Sequence, residues 1–304
     1  MKSINRTTLF LLLTFIISYT AAGIFYMAGG RLSNGIAYTL FGAAYMFIPM
    51  ICAIIVKKFV HGEKISELLI SFKLNRWFVV AWLLMPVVII STIGTSLLFP
   101  GVSYSPGMEG MFARYASILS PEQIEQMRIS MESLPVNIFW ITLIQGLFAG
   151  ITINALAGFG EEIGWRGFLL KELSHMSFVK ICVVTGFIWG IWHAPLILMG
   201  HNYPQHPVAG VLMMIVLCIL LTPVFIYVTL KAKSVIAAAI IHGTMNATAG
   251  LSIMVIAGGS DLIAGITGLA GFIAIAIAII ILFIIDVYIT KDKIFLSKIS
   301  DNLP

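Results

Sequence analysis

VAGVLMMIVLCILLTPVFIYVTL, residues 208–230, runs for 23 positions without an Asp, Glu, Lys, Arg or His. A bilayer core about 30 Å thick is crossed by roughly 20 apolar residues at about 1.5 Å rise each, so this stretch is long enough to span. It is not alone. Comparable runs occupy about 8–28, 37–56, 78–99, 137–158, 181–200, 235–256 and 262–288. The chain is 60% hydrophobic and 10% charged, with a mean hydropathy of +1.03; a soluble domain carries about 25% charged residues. Composition and periodicity therefore predict an all-α, polytopic membrane helix bundle of about eight transmembrane helices, read as one integral membrane domain over 1–304. The first run follows Lys2 and Arg6 and is long for the apolar core of a signal peptide, so it reads as an uncleaved anchor.

Charge orients the bundle. With the N-terminus inside, the inner segments hold Lys2, Arg6, Lys57, Lys58, Lys64, Lys73, Arg76, Arg166, Lys171, Lys180, Lys231, Lys233, Lys291, Lys293 and Lys298, 15 of the 18 basic residues. Only Arg31, Arg114 and Arg128 fall outside. This asymmetry predicts both termini on the cytoplasmic side of the cell (inner or plasma) membrane. It also accounts for the net charge of +5 without a nucleic-acid partner, since no basic stripe is interleaved with aromatics. Cys52, Cys182 and Cys218 sit in apolar runs with no CxxC and read as small buried hydrophobes.

Two connections are long. In 57–77, Ile65, Leu68, Leu69 and Phe72 recur at helical spacing, which predicts an amphipathic helix on the cytoplasmic face. In the outer segment 100–136, Ser120-Pro121-Glu122-Gln123 has the form of a capping box with Pro at the first helical position, so a short helix should follow. That segment is a surface loop or a lid over a site.

Ionisable groups within a bilayer are costly and mark function by default. Gly158-Phe159-Gly160-Glu161-Glu162-Ile163-Gly164-Trp165-Arg166 continues the fourth run with no proline, placing Glu161 ~15 Å from the cytoplasmic end of a helix reaching about Lys171. Glu162 and Arg166 share a face and can pair; Glu161 points about 100° away. His193, in Trp189-Gly190-Ile191-Trp192-His193-Ala194-Pro195, and His242, with Asn246 four residues on, fall at roughly the same depth on two further helices, ~20 Å and ~12 Å along them. Gly160 with Gly164, Gly186 with Gly190, and Ala238 with Ala239 should let these helices approach closely. The set suits hydrolysis: a carboxylate takes a proton from water, a histidine shares that task, and His with Asn stabilises an oxyanion. No HExxH helix is present, and Asp261, Asp286, Asp292 and Asp301 all lie near or beyond span ends, which excludes the usual zinc-protease helix and an aspartate dyad.

Glu161-Glu162-Ile163-Gly164-Trp165-Arg166, Trp189-Gly190-Ile191-Trp192-His193 and His242-Gly243-Thr244-Met245-Asn246 resemble the three motifs EExxxR, FxxxH and HxxxN of the CPBP (CAAX protease and bacteriocin-processing, or Abi) family of intramembrane endopeptidases, which includes the type II CAAX prenyl endopeptidases. Trp189 stands where the second motif names Phe. The resemblance covers about 155–250. It implies an eight-span bundle with a cavity opening toward the cytoplasmic half, and proteolysis of a membrane-associated peptide or protein. Carried over by position, Glu161 would activate water aided by His193, His242 and Asn246 would hold the oxyanion, and Glu162 and Arg166 would orient the first motif.

Glu161, His193 and His242 could also make a His₂Glu zinc site; with Glu161 acting as the base, a poor ligand set remains, and metal-independent water activation is the reading favoured. Two other functions fit the same residues. A proton-coupled transporter would use the buried Glu and His as a relay and predicts broken helices paired between related halves. A non-catalytic adaptor or immunity protein predicts loss of a core residue, yet Glu161, His193, His242 and Asn246 are all present.

Overall fold

A computed structural model describes residues 5–31, 35–115 and 120–303; Lys2 of the expected basic end lies outside these, as does the side chain of Arg114. In chain order the helices are α1 (Arg6–Met27), α2 (Gly35–Val60), α3 (Arg76–Ser96), α4 (Glu109–Tyr115), α5 (Pro121–Glu132), α6 (Ile138–Ile151), α7 (Ile153–Glu172), α8 (Phe178–Trp192), α9 (Ala194–Leu198), α10 (Pro207–Ala232), α11 (Val235–Met254) and α12 (Leu269–Ile289). Among the described residues, α1, α2, α3, α10, α11 and α12 are each long and apolar enough to cross a membrane. The chain is a polytopic helical membrane protein.

The expected count of eight is approximate, for two reasons rooted in the backbone. The fourth span is a pair, α6 and α7, bent by 48° at Thr152. The fifth is the 15-residue α8, short for a crossing, followed by α9 beyond a break at His193. The last span begins at Leu269 rather than near 262, because Gly258, Gly259 and Gly265 take positive φ and turn the preceding segment at the bundle end. There Ile256–Ala257 pairs antiparallel with Ser103–Tyr104. The capping box forms in both directions: Gln123 N–H donates to Ser120 Oγ (3.3 Å) and Ser120 N–H to Gln123 Oε1 (2.8 Å).

Small residues set the helix spacing, though against different partners than expected. Gly186 and Gly190 seat α8 on α10, and Gly160 and Gly164 press α7 against Met46–Pro49 of α2. The contact between the site helices α7 and α11 is made by Gly158, where a Cβ would lie 3.1 Å from His242 Cβ, and by Gly243, which abuts the backbone of Gly150 and Ala155. A Cβ at Gly186 would sit 2.6 Å from Ile219 Cα and 2.9 Å from the Cys218 carbonyl oxygen, and backbone atoms cannot turn aside. Gly186→Ala should therefore destabilise the protein by about 1–3 kcal/mol, the usual cost of overpacking, as a lowered unfolding midpoint in detergent; an unchanged midpoint would contradict this packing.

The amphipathic helix expected over 57–77 does not form. α2 ends at Val60, one short turn covers Ile65–Glu67, and the chain then runs without regular secondary structure to Asn75. Leu69 has φ 58°, which a continuing helix cannot accommodate. Tertiary bonds hold the segment as a strap: Val235 N–H donates to Leu69 O (2.9 Å), and Ser234 Oγ–H to Ser71 O (2.6 Å). Lys57 binds Glu63 (2.8 Å) and Glu67 (2.9 Å), and Lys171 donates to Glu67 O (2.7 Å). The C-terminal segment docks at this same end, Ser300 N–H donating to Ser174 O (2.9 Å), with Lys231 paired to Asp292. The strap, the α7–α8 turn, the α10–α11 turn and the C-terminal segment thus form one basic end of the bundle.

Candidate active site

The break after α8 follows from Pro195. It has no N–H to give the Ile191 carbonyl four residues earlier, and the helix path shifts, with His193 N–H bonding Gly190 O instead of Trp189 O (3.2 Å). Three carbonyls are freed, and side chains take them up. Tyr19 Oη–H donates to Ile191 O (2.7 Å), Tyr45 Oη–H to Trp192 O (3.0 Å), and His193 Nδ1–H to Trp189 O (2.8 Å). Trp192 Nε1–H in turn donates to Ser18 Oγ (2.8 Å). A proline thus fixes the His193 ring at a helix break, with Nε2 left as the ring's free nitrogen.

Glu161 lies on the α7 face turned to α8, and its Oε2 accepts Trp189 Nε1–H at 2.7 Å. Glu162, on the adjacent face and fully buried, joins two partners. Arg166 Nη1 lies 3.1 Å from each of its oxygens, and His242 Nδ1–H donates to Oε1 at 2.8 Å. Arg166 stacks its guanidinium over Trp189 (4.3 Å) and Phe225 (4.8 Å) and donates to Thr222 Oγ1 (3.4 Å). A turn of π-type over Ile163–Leu169 follows the two carboxylates directly.

Glu161, His193, His242 and Asn246 all line one cavity of about 470 Å³. Asn246 is exposed on its wall, whereas the other three are buried. Glu162 and Arg166 stand behind it. The cavity climbs from Glu161 past Tyr45, Asn154 and Met214 to Tyr38, His201 and Thr267, toward the end of the bundle opposite the basic end. Burial pushes His201 at this mouth down to about 4, so it is a neutral ring at pH 7. No described residue of 100–136 lines the cavity, so that segment is not its lid in this structure.

Sequence reasoning placed the six site residues on three helices but missed three features. Trp189 donates to Glu161. Glu162 connects Arg166 to His242 across helices. Tyr19 and Tyr45 brace the His193 turn. Pro195, two residues after His193, was the signal for the last.

Among the described residues no three His, Cys, Asp or Glu side chains are drawn together as metal ligands. The bonds that orient Glu161, His193 and His242 engage one oxygen of the carboxylate and Nδ1 of each ring. The set can hold a water against the second oxygen of Glu161, with a histidine on the next helix. Trp189→Phe keeps the ring and removes the N–H. It should lower kcat/KM by about tenfold to a hundredfold, as expected for one hydrogen bond to a charged group, with thermal stability changed far less. Wild-type kinetics in this variant would show that the indole only packs.

Residues 135–248 match a family model described as type II CAAX prenyl endopeptidase Rce1-like. The CAAX prenyl protease 2 of Methanococcus maripaludis is 29% identical over 210 residues, covering 64% of each chain. The present chain thus spans less than two thirds of the length of that relative.

Proposed function

From a chain whose residues 135–248 match a type II CAAX prenyl endopeptidase Rce1-like family model, we propose an intramembrane endopeptidase that hydrolyses a peptide bond of a membrane-associated protein or peptide. The observation that carries this reading is the gathering of Glu161, His193 and His242 from three helices on one cavity, two of them oriented by bonds that leave a reactive atom free. Oε1 of Glu161 takes a proton from water as the water attacks the carbonyl carbon. Nε2 of His193, whose Nδ1–H is committed to Trp189 O, accepts a second hydrogen bond from that water. His242 has Nδ1–H committed to Glu162, so as the imidazolium it donates Nε2–H to the oxyanion, with Asn246 beside it. Glu161 then returns the proton to the leaving amine.

In this reading no step passes through a metal, and extensive chelation should leave cleavage intact; loss of activity restored by added zinc would overturn that part. The basic end is proposed to face the cytoplasm, with both termini. A lone Cys at Lys64 should then react with an impermeant maleimide in inverted vesicles and not in intact cells. The proteolytic reading is tested by proteomics of membrane fractions from cells with wild type or Glu161→Ala. Precursors should accumulate and their fragments vanish in the variant, and identical peptide profiles would contradict it.

A further inference from the structure

We propose that Asn154 and Tyr38 form a subsite of this cavity that binds the main chain of the substrate, holding the peptide extended by hydrogen-bonding an amide group about three residues from the bond that is cut. The inference rests on the proteolytic reading above and adds how the substrate is recognised: by its backbone, away from the reacting atoms.

Asn154, Ala157 and Glu161 all line the cavity. They recur at spacings of three and four along α7, so they share one helix face. Asn154 lies roughly two turns before Glu161, about 10 Å of rise. Tyr38 reaches the same level from α2. Gly160 packs on Met46 and Phe47, and Gly164 on Pro49, so α2 and α7 run side by side in the same direction. Asn154 is six residues before Gly160, and Tyr38 is eight before Met46. The two therefore stand within about one turn of the same height, and both face the one cavity.

Several polar groups of the lining already have partners within the protein. Thr39 Oγ1–H donates to Gly35 O (3.0 Å), Tyr45 Oη–H to Trp192 O (3.0 Å), Trp189 Nε1–H to Glu161 Oε2 (2.7 Å) and Trp192 Nε1–H to Ser18 Oγ (2.8 Å). Asn154 and Tyr38 differ. Asn154 is half-buried. Its Nδ2 makes one long bond, 3.4 Å, to Ala149 O, and its Oδ1 accepts none among the described residues. Tyr38 is 7% exposed, with its ring between Phe25 (6.2 Å) and His201 (6.0 Å). Its Oη is buried with no partner among the described residues. A buried hydroxyl in that state is costly until a ligand supplies the missing bond.

The free atoms match a peptide unit. A side-chain amide offers an acceptor and two donors, so Asn154 accepts a main-chain N–H at Oδ1, while Nδ2 exchanges its long bond for a main-chain carbonyl. Tyr38 Oη–H donates to a carbonyl from the facing wall. An extended peptide rises about 3.3 Å per residue, so 10 Å of helix corresponds to about three residues from the carbonyl held at Glu161. A helical segment would rise only about 1.5 Å per residue and would use its own N–H and C=O groups internally. The lining holds no Asp, Lys or Arg, and Glu161 is its one carboxylate, so recognition at this level is by hydrogen bonds to the backbone.

The experiment starts from a cleavage site mapped as a new peptide N-terminus that wild type makes and Glu161→Gln does not. A synthetic copy of that segment with its membrane anchor is incubated with the full chain in lipid nanodiscs. Each backbone amide near the site, on both sides, is replaced in turn by an ester, which removes the N–H and keeps every side chain. An ester about three residues from the cut should raise the wild-type KM by about threefold to tenfold, the worth of one hydrogen bond, with kcat unchanged. The same ester should cost nothing further in Asn154→Leu, whose own loss on the all-amide peptide is of that size. Tyr38→Phe keeps the ring and loses only the hydroxyl; it should raise KM for the all-amide peptide by a similar factor, and it carries the test where Asn154→Leu does not fold. Ester effects equal in wild type and Asn154→Leu, no effect beyond the residues flanking the cut, or an unchanged KM in Tyr38→Phe overturns the proposal and leaves the proteolytic reading standing. If no cleavage site depends on Glu161, the proteolytic reading fails, and this one with it.

Discussion

Turnover of a verified substrate by Glu161→Gln falls by about 10²–10⁴-fold, the usual worth of a positioned base, while the protein stays folded. Gln keeps the side-chain volume and offers a carbonyl oxygen to the Trp189 indole N–H that Glu161 Oε2 accepts now at 2.7 Å. What it lacks is the ability to take a proton. Binding should change little, because burying a neutral amide costs less than burying a carboxylate. The loss should thus appear in kcat, with KM nearly constant, the signature of an interaction made in the transition state. Measured kcat and KM with a purified substrate check this; a rise in KM at constant kcat would make Glu161 a binding residue only.

The second large effect is on stability. Arg166→Met should destabilise the fold by about 3–5 kcal/mol, the cost of removing one partner of a buried ion pair. Glu162 is fully buried and Arg166 is 2% exposed, at 3.1 Å, so the carboxylate left behind has no water to turn to. Its remaining partner is His242. Arg166→Met also loses the guanidinium stacked on Trp189 and Phe225. Removing both charges in Glu162→Gln/Arg166→Met should recover much of that stability, because a neutral pair needs no compensation. Activity should stay low in the double variant, since His242 loses the carboxylate that orients it. Equilibrium unfolding of the three variants, paired with rates, separates the two roles. A double variant no more stable than Arg166→Met would show that the pair is not coupled as described.

The sequence revealed helices better than their breaks. Long apolar runs located α1, α2, α3, α10 and α11 within a few residues, because spanning length is a one-dimensional property. The bend at Thr152 is different: no proline marks it, and Gly150, two residues before it, lies against Thr244 of α11. The 57–77 segment misled because its apolar spacing was helical, but Leu68 is buried and Leu69 is forced to positive φ by bonds to residues far along the chain. Such bonds leave no local pattern.

At the site, a separation of four residues made Glu162 and Arg166 a legible pair, and they sit within contact distance. The depth argument for Glu161, His193 and His242 used only helix rise, and all three line one cavity. The bond from Glu162 to His242 was not legible, since it joins residues 80 positions apart.

The central claim is that Glu161 belongs to a peptide-hydrolysing centre. The measurement is the appearance of new peptide N-termini when purified chain, reconstituted in lipid nanodiscs, is mixed with membranes from cells that lack it. The account predicts discrete new N-termini with wild type and none of them with Glu161→Gln. The same termini produced equally by both proteins, or by neither, would contradict it.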